Sequence, residues 1–329
     1  MSKRLLITGA SGFLGYHLVE EALAQGYTVF AAVRKSSKVD HLKDLPIHYT
    51  QLDYTNVPSL VSNIEENQYD YIIHAAGTLK AKDLEAYNQV NAVYTKNLAL
   101  AAMQSNKKID KFVFVSSLAA LGPAFDADSF IEENAVPAPL TNYGKSKLLA
   151  ERFLADIPDL PLIILRPTAV YGPREKDIFL MFEALNRGLE LYIGHVKQKL
   201  SFIYVTDAAK ITVQALTSPV KRGIYNVSDG KAYDRYELAK VFKQESKVKT
   251  LKLHLPLAIV KTLAYVLEKV YAWRGETPAL NGDKLAELIA PNWSCSNKKL
   301  KEELGFVPRY ELDAGVRETY RWYKANGWL

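Results

Sequence analysis

Thr8-Gly9-Ala10-Ser11-Gly12-Phe13-Leu14-Gly15 decides the fold through what stands on either side of it. Before it, Lys3-Arg4-Leu5-Leu6-Ile7 is a short apolar run that reads as a buried strand. After it, Leu14, Leu18, Val19, Ala22 and Leu23 recur at helical spacing, and the pattern stops at Gly26. Strand, glycine turn and helix in this order are the setting in which Gly-x-x-Gly-x-x-Gly reads as a nucleotide-binding turn. Gly9 permits the tight turn, Gly12 lets backbone approach a pyrophosphate, and Gly15 lets the helix lie close to the strand. The N–H groups and positive dipole end at the helix start then favour phosphate.

Further strands follow at Thr28–Val33, Ile47–Leu52, Tyr71–Gly77 and Lys111–Val115, with helical patterns at Val57–Asn67 and Asn91–Met103 between them. Strands alternating with helices predict an α/β fold, a doubly wound parallel Rossmann sheet. Ligands of such sheets bind beyond the carboxyl ends of the strands. The glycine turn, Arg34, Asp53, His74–Gly77 and Ser116–Ser117 all fall at such ends. A basic residue closing the second strand accommodates a 2′-phosphate, where a carboxylate would bind a free ribose hydroxyl. Arg34 holds that place with Lys35 beside it, so NADP is the preferred cofactor, with NAD possible.

Tyr143 and Lys147 are four residues apart and share one helix face. A free tyrosine titrates near about 10. A neighbouring ammonium stabilises the phenolate, so the pair is expected to bring that value toward working pH, as acid–base catalysis requires.

Bulk properties exclude several classes. Hydrophobic residues make up 48% and charged ones 24%, the balance of a soluble globular protein. The net charge of +6 is scattered, which argues against nucleic acid as a partner. With one cysteine no intrachain disulfide forms, and the six histidines show no zinc-ligand spacing, so no metal is expected. No charged-then-apolar leader precedes the first strand, and a cytoplasmic location is the expectation. The stretch Leu255–Val270 is interrupted by Pro256, Lys261 and Glu268 and predicts no membrane span. It reads as an amphipathic helix packed on the protein, with a surface anchor as the alternative.

On these residues the chain resembles the extended short-chain dehydrogenase/reductase superfamily of NAD(P)-dependent epimerases, dehydratases and hydroxysteroid-dehydrogenase-like reductases. The resemblance runs nearly end to end. It implies that Gly9, Ser11, Gly12, Phe13, Leu14 and Gly15 form the cofactor turn and that Leu52 and Asp53 lie at the adenine. It places Ala75, Ala76 and Gly77 along the cofactor. Asn91 opens the family's Asn-x-x-x-Thr-x-Asn-Leu helix, and Pro167 and Val170 border the nicotinamide. Tyr143, Lys147 and Ser117 correspond to the catalytic residues, with Ser116 beside the cofactor and the alternative serine. Tyr143 would exchange a proton with a substrate oxygen held by Ser117. Lys147 would tune that phenol and hold the nicotinamide ribose. A homodimer through helices near 84–105 and 142–156 is also implied by resemblance.

Departures from the family narrow the chemistry. Ser117-Leu118-Ala119 lacks the carboxylates with which dehydratases eliminate water. Thr168 and Leu200-Ser201 replace the Asn and Arg-Asp usual in sugar-nucleotide epimerases, although Lys197, Lys199, Arg174 and Arg187 offer charge. Val33-Arg34 and His254-Leu255-Pro256 resemble the hydroxysteroid-dehydrogenase and dihydroflavonol-reductase-like branch. The expected activity is hydride transfer between NAD(P) and a carbonyl or secondary alcohol of a small apolar substrate. The alternatives are an NAD-dependent nucleotide-sugar epimerase and a non-catalytic NAD(P)-sensing protein. The cofactor domain is expected over 1–172 and about 203–228, and a smaller, mostly helical substrate lobe over 173–202 and 229–329. Tyr265, Tyr271, Trp273 and Trp293 are candidates for core or pocket lining, and Gly122-Pro123 with Pro137–Pro139 for a mobile lid.

Overall fold

Along each central strand, alternate residues supply two separate cores. Leu5, Ile7, Val29, Ala31, Ile73, Val113 and Ile163 point to one side, and Leu6, Phe30, Ile72, Phe112, Phe114 and Ile164 to the other. Both sides are covered, so the strands read as nearly continuous apolar runs. The computed structural model describes residues 2–126, 128–273, 278 and 280–329.

The strands are β1 (Arg4–Thr8), β2 (Thr28–Ala32), β3 (His48–Thr50), β4 (Tyr71–His74), β5 (Lys111–Val115), β6 (Leu162–Pro167) and β7 (Gly223–Val227). They lie in the order β3-β2-β1-β4-β5-β6-β7, parallel throughout. The direction of winding reverses between β1 and β4, which opens a crevice at their carboxyl ends.

Helices α1 (Phe13–Ala24) and Val205–Gln214 cover the first side through Leu18, Val19, Ile211 and Val213. Helices α2 (Val57–Asn67), α4 (Tyr94–Gln104) and α5 (Asn142–Ala155) cover the second through Leu60, Leu98, Ala150 and Leu154. The helix expected from Asn91 begins instead as α3 (Leu84–Asn88) and passes through a wide π-turn, Gln89–Val93, before α4.

Helices Asp177–Asn186, Glu237–Ser246 and Leu312–Ala325 enclose a third core of Phe182, Leu238, Phe242, Val316 and Tyr323. Helix Lys298–Leu304 returns to the sheet, where Leu300 and Leu304 join the first core. Two short strands, Leu189–Ile193 and Leu251–Leu255, pair in parallel beside this region.

The segment expected as a lid is pinned. Ala138 N–H donates to the Leu121 carbonyl at 2.7 Å, and Ala124 N–H to that of Asn292 at 2.9 Å. Ile131 bridges Cys295, and the Asn292 amide donates to Asp126 and Ser129 carbonyls. These bonds tie the described parts of the segment to the residues around Leu121 and Asn292–Cys295.

Candidate active site

At the carboxyl end of β1 the turn is closed by backbone crowding. Gly9 has φ +71°, and a Cβ there would lie 2.7 Å from the Ala75 carbonyl oxygen. A Cβ at Gly15 would lie 2.0 Å from Gly9 O, so neither position admits a side chain. Gly12 caps α1 without any side-chain bond, which leaves the first-turn N–H groups for an external anion. Ser11, Phe13 and Leu14 lie within the same turn, all three partly buried.

Beneath the turn runs a buried polar chain that the sequence did not reveal. Ala76 N–H donates to Thr8 Oγ1 at 3.0 Å, and Thr8 Oγ1 stands 2.8 Å from His74 Nδ1. His74 Nε2 lies 2.9 Å from Thr95 Oγ1, whose own proton goes to the Asn91 carbonyl at 2.8 Å. With the Thr95 proton so used, His74 carries its hydrogen on Nε2, and Thr8 donates to Nδ1. Burial, aided by the nearby Lys147 charge, pushes the imidazole down to about 3. The ring is therefore neutral and serves as a fixed strut between β1, β4 and the π-turn.

That π-turn aims Asn91 inward. Its Nδ2 donates to Thr78 O at 3.0 Å and Ser146 Oγ at 2.9 Å, and its Oδ1 accepts Thr78 N–H at 2.7 Å. Gly77 passes so close that a Cβ would lie 3.1 Å from Asn91 Oδ1 and 3.7 Å from Lys147 Nζ. The loop after β4, Asn91 and the catalytic candidates on α5 thus meet at one place.

On α5, Thr141 caps the N-terminus by accepting Gly144 N–H at 3.0 Å, and Tyr143, Lys147 and Glu151 follow at four-residue intervals on one face. Lys147 is buried; its ammonium donates to the Val115 carbonyl at 2.8 Å and sits 4.6 Å from the Phe114 ring centre. Burial lowers it to about 8, against the pull of the Glu151 carboxylate. The phenol of Tyr143 is pushed up to about 12 by burial; the Ser117 hydroxyl opposes this, and the Glu287 and Tyr87 charges add to it. The expected lowering by Lys147 is absent because the ammonium is turned to the end of β5.

The two serines after β5 have separate surroundings. Ser117 caps a short turn, accepting Ala119 N–H at 3.2 Å, and faces both Tyr143 and a cavity. Ser116 is buried and donates to Glu151, which also holds Arg166 Nη2 at 2.6 Å and Arg166 Nε at 3.0 Å. Arg166 Nη1 reaches the Glu133 carbonyl at 3.0 Å. This arrangement ties β5, β6 and α5 together and leaves Ser116 no freedom to meet a substrate.

The cavity, about 510 Å³, opens from Ser117 past Pro167, Thr168 and Ala169 into the third core. Its walls are largely apolar: Leu118, Met181, Leu191, Phe202, Leu238 and Trp293 are examples. Gln198, Arg235, Lys284 and Glu287 add polar groups that no local pattern in the sequence marked. Arg235 spends its Nη atoms on the Val196 and Ile193 carbonyls at 2.8 and 3.2 Å, and its buried Nε meets no partner among the described residues. A larger concavity, about 630 Å³, lies between Leu162 and Gly223 at the amino ends of β6 and β7, away from these groups.

Other expected residues fall as follows. Arg34 and Lys35 are exposed just past β2, and Arg34 N–H donates to Ser37 Oγ at 3.1 Å. Leu52 packs on the second core, and Asp53 is exposed, accepting from Thr55 at N and Oγ1. Pro167 ends β6, and Val170 pairs with Ile203 in a separate two-strand ladder. Lys199 is paired with Asp128 at 2.6 Å, Arg187 with Glu183 at 2.6 Å, and Arg174 stacks 4.1 Å from the Tyr16 ring centre. None of these three, nor Lys197, lines the cavity. Tyr265 is exposed, Tyr271 half-buried, and the Trp273 side chain lies outside the described residues. Among the described residues no group of three or more His, Cys, Asp or Glu could hold a metal ion.

Residues 5–228 match the model of the NAD dependent epimerase/dehydratase family. Over its length the chain is 29% identical to a ceramide reductase of Caulobacter vibrioides, covering 98% of this chain and 95% of that one. It is 28% identical to a UDP-N-acetyl-alpha-D-glucosaminuronate decarboxylase of Bacillus cytotoxicus, covering 98% of each. A solved UDP-glucose 4-epimerase of Thermotoga maritima superposes with a TM-score of 0.79 at 20% identity, covering 98% and 99% of the two chains.

Proposed function

Because the chain belongs to the NAD dependent epimerase/dehydratase family, we propose that it passes hydride between NAD(P) and a carbonyl or secondary alcohol of a small apolar substrate. The observation that carries this reading is the cavity at Ser117, walled mostly by aliphatic and aromatic side chains. The reductase relative adds support.

The residues at the strand ends fit a dinucleotide. The uncapped start of α1 takes the pyrophosphate, with the close backbone packing at Gly9 and Gly15 fixing the tight turn in place. Leu52 and Asp53 lie toward the adenine, and the exposed Arg34 and Lys35 take a 2′-phosphate, so NADP is preferred. Ala75, Ala76, Gly77 and Asn91 would lie along the bound cofactor, and Pro167 and Val170 would border its nicotinamide. When bound, the nicotinamide supplies or accepts the hydride. Tyr143 gives its phenolic proton to the substrate oxygen, or takes it in the reverse direction, while the Ser117 hydroxyl holds that oxygen in place. Lys147 holds the ribose hydroxyls. The segments 173–202 and 229–329 form the substrate lobe, the helical stretch from α3 to α4 together with α5 a homodimer interface, and the protein works in the cytoplasm.

A second reading, a nucleotide-sugar epimerase, is favoured by Arg235 and Lys284 in the cavity wall and by the UDP-sugar relative. The test is a panel of apolar ketones and alcohols and of sugar nucleotides, run with NADP and NAD and with Tyr143→Phe. Net change in nicotinamide absorbance, lost by about two to four orders of magnitude in Tyr143→Phe, is expected. Isomerised sugar without net reduction would establish the epimerase instead. Unimpaired turnover in Tyr143→Phe would remove that residue from the chemistry.

A further inference from the structure

An uncovered apolar face stands beside the cavity. In the parallel pair, Leu251 is opposite Leu189, Leu253 opposite Leu191 and Leu255 opposite Ile193. Partners in register, two residues apart along each strand, share one side of a sheet. Six aliphatic side chains therefore lie together, and five are exposed, Leu251 by 62%. The reverse side is packed: Tyr192 is buried, and Glu190 accepts from Lys243 at 2.6 Å and Thr250 at 2.8 Å.

Helix Leu257–Trp273 begins directly after this sheet. Of its described side chains, only Val260 and Ala264 are buried, against Leu285 and Ile193. The next stripe, Ile259, Leu263, Val266 and Val270, recurs at helical spacing and is open, with Ile259 61% exposed. Lys261, Tyr265 and Lys269 flank it, and Lys247 and Lys249 are exposed ahead of the strand. Across residues 247–273 the one carboxylate is Glu268, which accepts Gly282 N–H. The packed helix expected from the sequence is thus covered along a single narrow stripe. Its length and polarity do not make a span: among the described residues, no helix is long and apolar enough to cross a membrane.

We propose that this face docks peripherally on an anionic phospholipid surface. The leucines of the sheet and the Ile259–Val270 stripe enter the headgroup–acyl boundary while the lysines meet the lipid phosphates. Charge selects this occupant over a second copy of the chain, because a two-fold contact would set the same lysine-rich flanks against each other. Continuity selects it too: Leu191 and Ile193 belong both to the open face and to the cavity wall. An apolar substrate would then enter from the lipid side. That clause rests on the function proposed above; the docking itself does not.

The test is co-sedimentation of the full chain with vesicles of phosphatidylcholine alone, and of phosphatidylcholine and phosphatidylglycerol in equal parts. Binding to the mixed vesicles, weaker at high salt and much weaker on phosphatidylcholine, is expected. Leu263→Asp with Val266→Asp should abolish it, and Lys261→Glu with Lys269→Glu should weaken it at least about tenfold. Dinucleotide titration and thermal melting of each variant establish that it is folded, and the charge-reversal pair is exposed, Lys269 lying only over the exposed Tyr265 ring. Absence of binding to anionic vesicles at low salt overturns the proposal. So does a shift from dimer to monomer caused by Leu263→Asp with Val266→Asp while vesicle binding is unchanged, which would make this an interface between copies. Binding is read without substrate or turnover, so its failure leaves the hydride-transfer reading intact, and an inactive enzyme that still binds leaves the docking intact.

Discussion

The Lys147 ammonium donates a hydrogen bond to the Val115 carbonyl oxygen at 2.8 Å, at the carboxyl end of β5 and one helical turn from Tyr143. The bond fixes the cation at the carboxyl end of β5, beside Gly77 of the loop that follows β4. It also explains why the phenol of Tyr143 is not depressed: the charge is engaged elsewhere and burial dominates.

Lys147 loses its proton near pH 8 in the free protein, since burial favours the neutral amine. If the ammonium holds the ribose, dinucleotide affinity falls by up to about tenfold per pH unit above that point. Fluorescence titration between neutral and strongly alkaline pH measures it. Lys147→Met should bind weakly and show no such slope; an identical slope in both proteins would assign it to another group.

Arg34 is exposed and has a 2′-phosphate as its proposed partner. A charge-assisted bond is worth about 1.5–3 kcal/mol, so Arg34→Ala should raise the NADP dissociation constant by roughly ten- to hundredfold. NAD affinity should stay unchanged. Equal weakening for both dinucleotides would place the arginine at a site they share.

His74 is held neutral with its titration pushed from 6.5 to about 3. The unfolded chain therefore binds a proton that the fold refuses between these values. Stability from this group is complete above about pH 6.5 and falls as the medium is acidified toward pH 3, by up to about 1.4 kcal/mol per unit. Denaturant melts at pH 6.5 and 4.5 should show a gentler loss in His74→Gln, which has no imidazole to protonate. Equal acid sensitivity would mean that the imidazole is solvated.

Glu151 and Arg166 are both about 5% exposed and bonded to each other. Removing one charge from such a pair costs about 3–5 kcal/mol, because the other is left buried and unpaired. Glu151→Gln should lose that much in chemical denaturation, and Glu151→Leu with Arg166→Met should recover part of it. A neutral result for Glu151→Gln would show that water reaches the guanidinium.

The sheet, the glycine turn and the Tyr143–Lys147 spacing were legible because each is written within a few consecutive residues. Apolar runs name their strands, and four-residue spacing names a shared helix face. The His74 chain was not legible, since Thr8, His74 and Thr95 meet only when β1, β4 and α4 are stacked. Nor was the parallel pairing of Leu189–Ile193 with Leu251–Leu255, which joins distant segments with no turn signal between them. The periodicity of Leu257–Trp273 identified a helix but not which stripe the rest of the protein covers. Arg235 and the Lys284–Glu287 pair of helix Gly282–Ile289 are far apart in sequence, and only the folded lobe brings them to one cavity.

Cys295 is the chain's one sulfhydryl, fully buried where Ile131 bridges it, with its titration raised to about 12 by that burial. A maleimide or disulfide reagent in neutral buffer meets neither a thiolate nor an accessible sulfur while this seam is shut. The rate of alkylation is therefore a built-in clock for how often the junction between sheet and lobe parts, readable without a label or an added probe.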